Sequence, residues 1–202
     1  MSGSTSNNPS DYSSFVTSRN EGSVRILSLH STDGSNRLTR GCVAALLAAV
    51  KALATQKQPL IITGNKNLFS AGADLHEISA LDATSTREFA KLGQALMNAI
   101  EAFPAPVFAA VSGFCMGGGL DLAPACNHRI AASGAVFGHR GAALGLLTGW
   151  GGTQRLSRLI GKAKTLQLLT AAERISADEA LGLRLVESVV EDPVAEAMRR
   201  FT

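Results

Sequence analysis

Aromatic side chains are scarce in this chain, with one Trp, one Tyr and eight Phe among 202 residues, and they are not interleaved with the basic ones. That argues against the cationic, base-stacking surface that nucleic-acid binding requires. Neither charge sign is in large excess, since 19 Lys and Arg stand against 16 Asp and Glu for a net +3. The one local concentration, Arg155, Arg158, Lys162 and Lys164, has helical spacing and reads mostly as a solvated helix face, with phosphate contact as the alternative. Cys42, Cys115 and Cys126 lack C-x-x-C spacing and have apolar neighbours. They read as reduced core thiols of a cytoplasmic protein, with neither a disulfide framework nor a zinc site. No apolar run approaches the roughly 20 residues of a membrane span, and the first ten residues lack the basic and apolar regions of a secretory leader.

Several catalytic signatures are missing as well. The glycines at 113–119 and 145–152 do not supply G-x-G-x-x-G after the first strand, which excludes a Rossmann fingerprint. Leu156 stands where a P-loop before Lys162 would need glycine, and Leu68 stands where a nucleophile elbow at Ser70 would need one. His30, His76, His128 and His139 show no H-E-x-x-H spacing, so no metal site is expected.

What is present suffices for one well-cored domain, at 46% hydrophobic residues. Residues 1–14 are small and polar and read as a disordered tail. Residues 24–30 alternate apolar and polar, predicting an opening strand with one buried face. Val43, Leu46, Leu47, Val50 and Leu53 recur at helical spacing, and residues 59–64 form a continuous apolar run, the pattern of a strand covered on both faces. A helix over 84–103 ends at Pro104 and Pro106, and a strand over 107–111 follows. A short strand over 129–132, an amphipathic stretch over 156–169, a capping box from Ser176 to Glu179 and a strand over 185–190 complete an α/β alternation.

The strand at 107–111 runs into Gly117, Gly118 and Gly119. Three adjacent glycines lose much backbone entropy on folding, which points to a place where the backbone itself approaches a ligand. A helix starting there would aim free N–H groups at a developing negative charge. Asp121, three residues beyond Gly118, lies on the same helical face and would overlook that point. A second cluster of small residues follows the strand at 59–64, in FSAGADL at 69–75.

These segments, FSAGADL at 69–75, VSGFCMGGGLD at 111–121 and GGTQRL at 151–156, resemble the enoyl-CoA hydratase/isomerase (crotonase) family in the right order over about 24–190. The resemblance implies a crotonase-like spiral of strand-strand-helix repeats with flanking helices, the core domain covering 15–192. It implies an acyl-CoA thioester as substrate, no cofactor beyond the coenzyme A of that substrate, and a homo-oligomer, trimer or hexamer. Carried over by position, the backbone N–H groups of Ala73 and Gly118 form the oxyanion hole for a thioester enolate. Asp121 is the acid/base, and Ala73, Asp74, Leu75, His76, Gly117, Gly118 and Gly141 contact substrate, with residues 36–38 helping at the nucleotide end.

The chain also departs from the family pattern. The second hydratase carboxylate falls on Gly141, so one acid is missing. Losing a general acid or base costs about 10²–10⁴-fold, so hydration is expected to be slow, with isomerisation or decarboxylation as open alternatives. A binding protein that has lost catalysis is the reading from another class. His139 and Arg140 carry two readings, replacement of that acid or loop surface, with surface favoured. Residues 193–202 read as the start of a truncated C-terminal helical segment, with the family's lid absent or shortened. Arg184 stands where similar sequences have a helix-ending glycine, a local cost of about 1 kcal/mol in a left-handed turn, and is read as a shifted boundary.

Overall fold

The computed structural model describes residues 14–201, so nearly all of the expected disordered tail lies outside the described residues. β1 (Val16–Glu21) and β2 (Val24–Leu29) form an antiparallel hairpin. β3 (Arg37–Leu38) leads into α1 (Arg40–Ala54), whose Thr39 hydroxyl accepts from the Cys42 N–H at 3.1 Å. β4 (Leu60–Thr63), β5 (Leu68–Ser70), β6 (Gly72–Ala73) and α2 (Leu75–Ser79) precede the long α3 (Ala83–Glu101), which opens on a capping box between Asp82 and Ser85. β7 (Val107–Val111), β8 (Phe114–Met116) and α4 (Gly118–Leu122) carry the glycine triplet. Beyond them run β9 (His128–Ala132), β10 (Val136–Gly138), a 3-10 turn at Arg140–Leu144, α5 (Gly152–Ile160) and α6 (Lys162–Thr170). β11 (Arg174–Ser176), α7 (Ala177–Gly182) with the expected Ser176–Glu179 capping box, β12 (Ser188–Val190) and α8 (Pro193–Arg199) follow.

The large sheet has the order β1-β2-β4-β7-β9-β12, parallel except for β1, and a smaller sheet has the order β11-β10-β8-β5. From β4 to β5, from β7 to β8 and from β9 to β10 the chain steps from the large sheet to the small one, then turns into helices before returning. That is the expected spiral of strand-strand-helix turns. The main core lies between the two sheets and α1 and α3, while α8 closes a second cluster of Val24, Ile26, Ile61, Phe108, Ala110 and Ile130 on the outer face of the large sheet. Because both faces are covered, β4 and β7 are buried at every position. Burying each large aliphatic side chain there contributes about 1.5–3 kcal/mol.

Four sequence expectations change. β2 does not open the fold, since β1 precedes it, and it is covered on both faces: Ile26 packs under α8 and Leu27 into the main core. The amphipathic stretch over 156–169 is two helices, broken at Gly161, where φ is 79°. Arg155 is not on a solvated face. It is buried, donating to the Trp150 carbonyl at 3.0 Å, to Asn98 Oδ1 at 2.7 Å and to Glu101 Oε2 at 2.8 Å, and so pins α5 to α3. Arg184 marks no shifted boundary either, because it adopts φ 61° itself, taking the left-handed turn without the glycine that would make it free of strain.

Candidate active site

The two glycine-bearing loops converge behind β5 and β8. Gly72 (φ 89°) lies so close to the second loop that a β-carbon there would come within 2.6 Å of the Met116 carbonyl oxygen and 2.8 Å of the Gly118 nitrogen. Only glycine permits that approach, which brings Ala73 beside Gly118. Gly117 takes φ 51° and ψ −119°, a conformation closed to other residues, with its N–H held by the Gly138 carbonyl of β10 at 2.9 Å. Its own carbonyl accepts from Leu120 and Asp121 at 2.8 and 3.2 Å. α4 is only five residues long and has no side-chain cap. A summed helix dipole is therefore small here, and local N–H groups are what the loop offers, a correction to the expected helix terminus.

Both loops open on a cavity of about 500 Å³ whose walls are mainly apolar. Leu75, Ile78 and Leu81 close one side, Phe89 and Ala90 of α3 another, and the 139–150 stretch a third. Trp150 forms part of this wall. Its ring meets Phe89 edge-on at 5.3 Å and lies flush over Gly93 and Gly118, where an added β-carbon would overlap the indole.

Asp121 is buried, with 2% of its surface exposed, and it lines the same cavity. Its Oδ2 accepts from the Thr148 hydroxyl at 2.7 Å, whereas Oδ1 is buried with no hydrogen-bond partner. Desolvation outweighs the Thr148 hydrogen bond and the more distant Arg155 charge, so the carboxyl is pushed up to about 7. A carboxyl so placed can hold or release a proton near neutrality. Gly152 opens α5 directly against it, and a β-carbon at that glycine would overlap Oδ1.

His139 is not loop surface. It is buried, with 7% exposure, and lines the cavity with Nε2 4.0 Å from Asp121 Oδ2. Burial lowers its basicity below the ordinary 6.5. Arg140 alone of that pair is exposed, although it too lines the cavity.

A family model for enoyl-CoA hydratase/isomerase matches residues 19–201. This chain belongs to that family. It is 41% identical over 183 residues to the crotonyl-CoA hydratase of Syntrophomonas wolfei, covering 89% of this chain and 70% of that one. The solved enoyl-CoA hydratase of Bacillus anthracis superposes with a TM-score of 0.86 at 33% identity, over 91% of this chain and 74% of that one. The enoyl-CoA hydratase of Thermoplasma volcanium gives 0.89 at 30% identity, over 94% and 76%. The crotonase-like fold and an acyl-CoA-transforming function of the enoyl-CoA hydratase/isomerase type follow.

In this family member the sequence-predicted residues Ala73, Leu75, Gly117, Gly118, Asp121 and Gly141 all line this same cavity, while Asp74 and His76 do not. The Asp74 carboxylate caps α2, accepting from the N–H groups of His76 at 2.8 Å and Glu77 at 3.0 Å, and His76 sits exposed on that helix. Asn36 has a structural role, its buried amide donating to the Leu68 carbonyl at 2.9 Å. Thr148 escaped sequence reasoning because no motif marks a hydroxyl 27 residues from the carboxylate it holds. Among the described residues no group of three His, Cys, Asp or Glu side chains could hold a metal ion, and no helix is long and apolar enough to cross a membrane.

Proposed function

We propose that this chain binds an acyl-CoA thioester with its carbonyl oxygen on the backbone N–H groups of Ala73 and Gly118 and its acyl chain in the apolar cavity. Asp121 then moves a proton at the carbon next to the carbonyl as the enolate forms. The observation that carries this reading is Asp121 itself, a buried carboxyl lining the cavity beside Gly118, with one oxygen on Thr148 and the other without a partner. Leaving a buried oxygen unpaired costs about 1–3 kcal/mol, which a protein of this family recovers in a site that takes substrate. Removing one oxyanion donor from such a site costs about 2.7–4 kcal/mol of barrier. Assembly as a homo-trimer or hexamer is part of the proposal.

The test is turnover of short, medium and long trans-2-enoyl-CoAs, together with deuterium exchange at the α-carbon of butyryl-CoA in heavy water. The unmodified protein is expected to catalyse both, and Asp121→Ala neither. Thioester binding without exchange would instead select the binding-protein reading.

A further inference from the structure

The missing carboxylate at Gly141 leaves an enoyl-CoA site with one acid where hydration needs two proton-handling groups, and the space beside Gly141 is not empty. A β-carbon at that glycine would come within 3.0 Å of His139 Cε1 and 3.2 Å of His139 Nδ1, and 2.8 Å from the Leu146 carbonyl oxygen. The imidazole occupies the place into which a side chain at 141 would grow. Of the described side chains lining the cavity, only Asp121, His139 and Arg140 ionise, and a guanidinium stays protonated in a protein and cannot act as a base. Thr148 already directs its hydroxyl to Asp121. His139 is therefore the one group besides Asp121 that can take up a proton inside the cavity.

We propose that His139 is the second catalytic residue of this site, taking a proton from the attacking water while Asp121 delivers a proton to the α-carbon. The proposal rests on the acyl-CoA reading above. As the water oxygen bonds to the β-carbon, its proton passes to the imidazole, and the electron pair of the double bond moves to the thioester oxygen. Asp121 then protonates the α-carbon, completing the addition of one water. The pair is left as imidazolium and carboxylate, and one proton returned from His139 to Asp121 across their 4.0 Å separation restores it. Catalytic contacts of this kind are often long without substrate and tighten in the complex. Burial acts on both groups in the direction this cycle needs, holding Asp121 protonated to about 7 and His139 neutral to below 6.5. Of the other ionisable groups on the elements around the cavity, those of α2 and α3 included, none forms an ion pair with Asp121 or His139 among the described residues.

The experiment compares the unmodified chain, His139→Gln and Asp121→Asn in hydration of crotonyl-CoA and in α-deuterium exchange of butyryl-CoA, which needs only Asp121. His139→Gln is expected to lose about 10²-fold or more in kcat, with KM within about three-fold and exchange retained. It should also lose the fall in kcat/KM that protonation of His139 causes at acid pH. Hydration within about three-fold of the parent, or an unchanged acid limb, overturns the proposal while Asp121-dependent exchange leaves the acyl-CoA reading standing. Absence of Asp121-dependent exchange in the unmodified protein overturns both. Should His139→Gln not fold, His139→Asn and the parent's pH profile decide: a parent without an acid limb overturns the proposal.

Discussion

Replacing Asp121 by asparagine should make the protein more stable at alkaline pH while abolishing its proton chemistry. The carboxyl ionises at 3.8 in an unfolded chain and at about 7 in the fold, because burial disfavours the charged form. Between those values the folded state holds a proton that the unfolded state has released, so folding stability falls as pH rises through that window. Integrating over it puts the penalty at about 2 kcal/mol at pH 5 and about 4 kcal/mol at pH 8. Asparagine matches the protonated carboxyl in shape, its oxygen can still accept from Thr148, and it cannot ionise. Urea unfolding of parent and Asp121→Asn at pH 5, 6.5 and 8, at one protein concentration, should give a stability difference in favour of the variant that widens by about 2–3 kcal/mol across the range. A difference independent of pH, or a variant less stable than the parent at pH 8, would refute the buried, high-pKa carboxyl and with it the stored proton on which the proposed chemistry depends. The trade of stability against function is the usual mark of a site residue.

Gly152→Ala should cripple enoyl-CoA turnover by about 10²-fold with thioester binding retained, because its β-carbon would displace the Asp121 carboxylate and not the loops carrying Ala73 and Gly118. Unchanged kcat by steady-state assay would contradict that geometry. Arg184→Gly should raise stability by about 0.5–1 kcal/mol in the same denaturation assay, since the residue already sits at φ 61°. A loss of stability would mean that the arginine side chain contributes more than its backbone strain costs.

Much of the fold was legible because its signals are local. The apolar run at β4, the periodicity of α3 and the capping boxes of α3 and α7 each lie within one element, where side-chain spacing and burial are directly linked. The break at Gly161 was missed because the apolar spacing continues across it, and β1 was missed because polar residues on an exposed hairpin edge leave no hydrophobic pattern. Arg155 was misplaced because helical spacing predicts a face, whereas its burial depends on Asn98 and Glu101 more than fifty residues earlier.

The sequence by itself determined which residue types are on offer: two glycine-bearing loops, each after a strand, and one carboxylate three residues beyond Gly118. Those are properties of residue type at short spacing, and they survive without coordinates. Only the tertiary structure decided the state of that chemistry. Burial sets the proton affinity of Asp121, Thr148 holds one of its oxygens, and Gly152 leaves room for the other. His139, which spacing alone leaves as a surface residue, becomes a cavity group because the chain folds it into the volume that Gly141 leaves open. Desolvation depends on all the atoms around a group, and no stretch of sequence contains them.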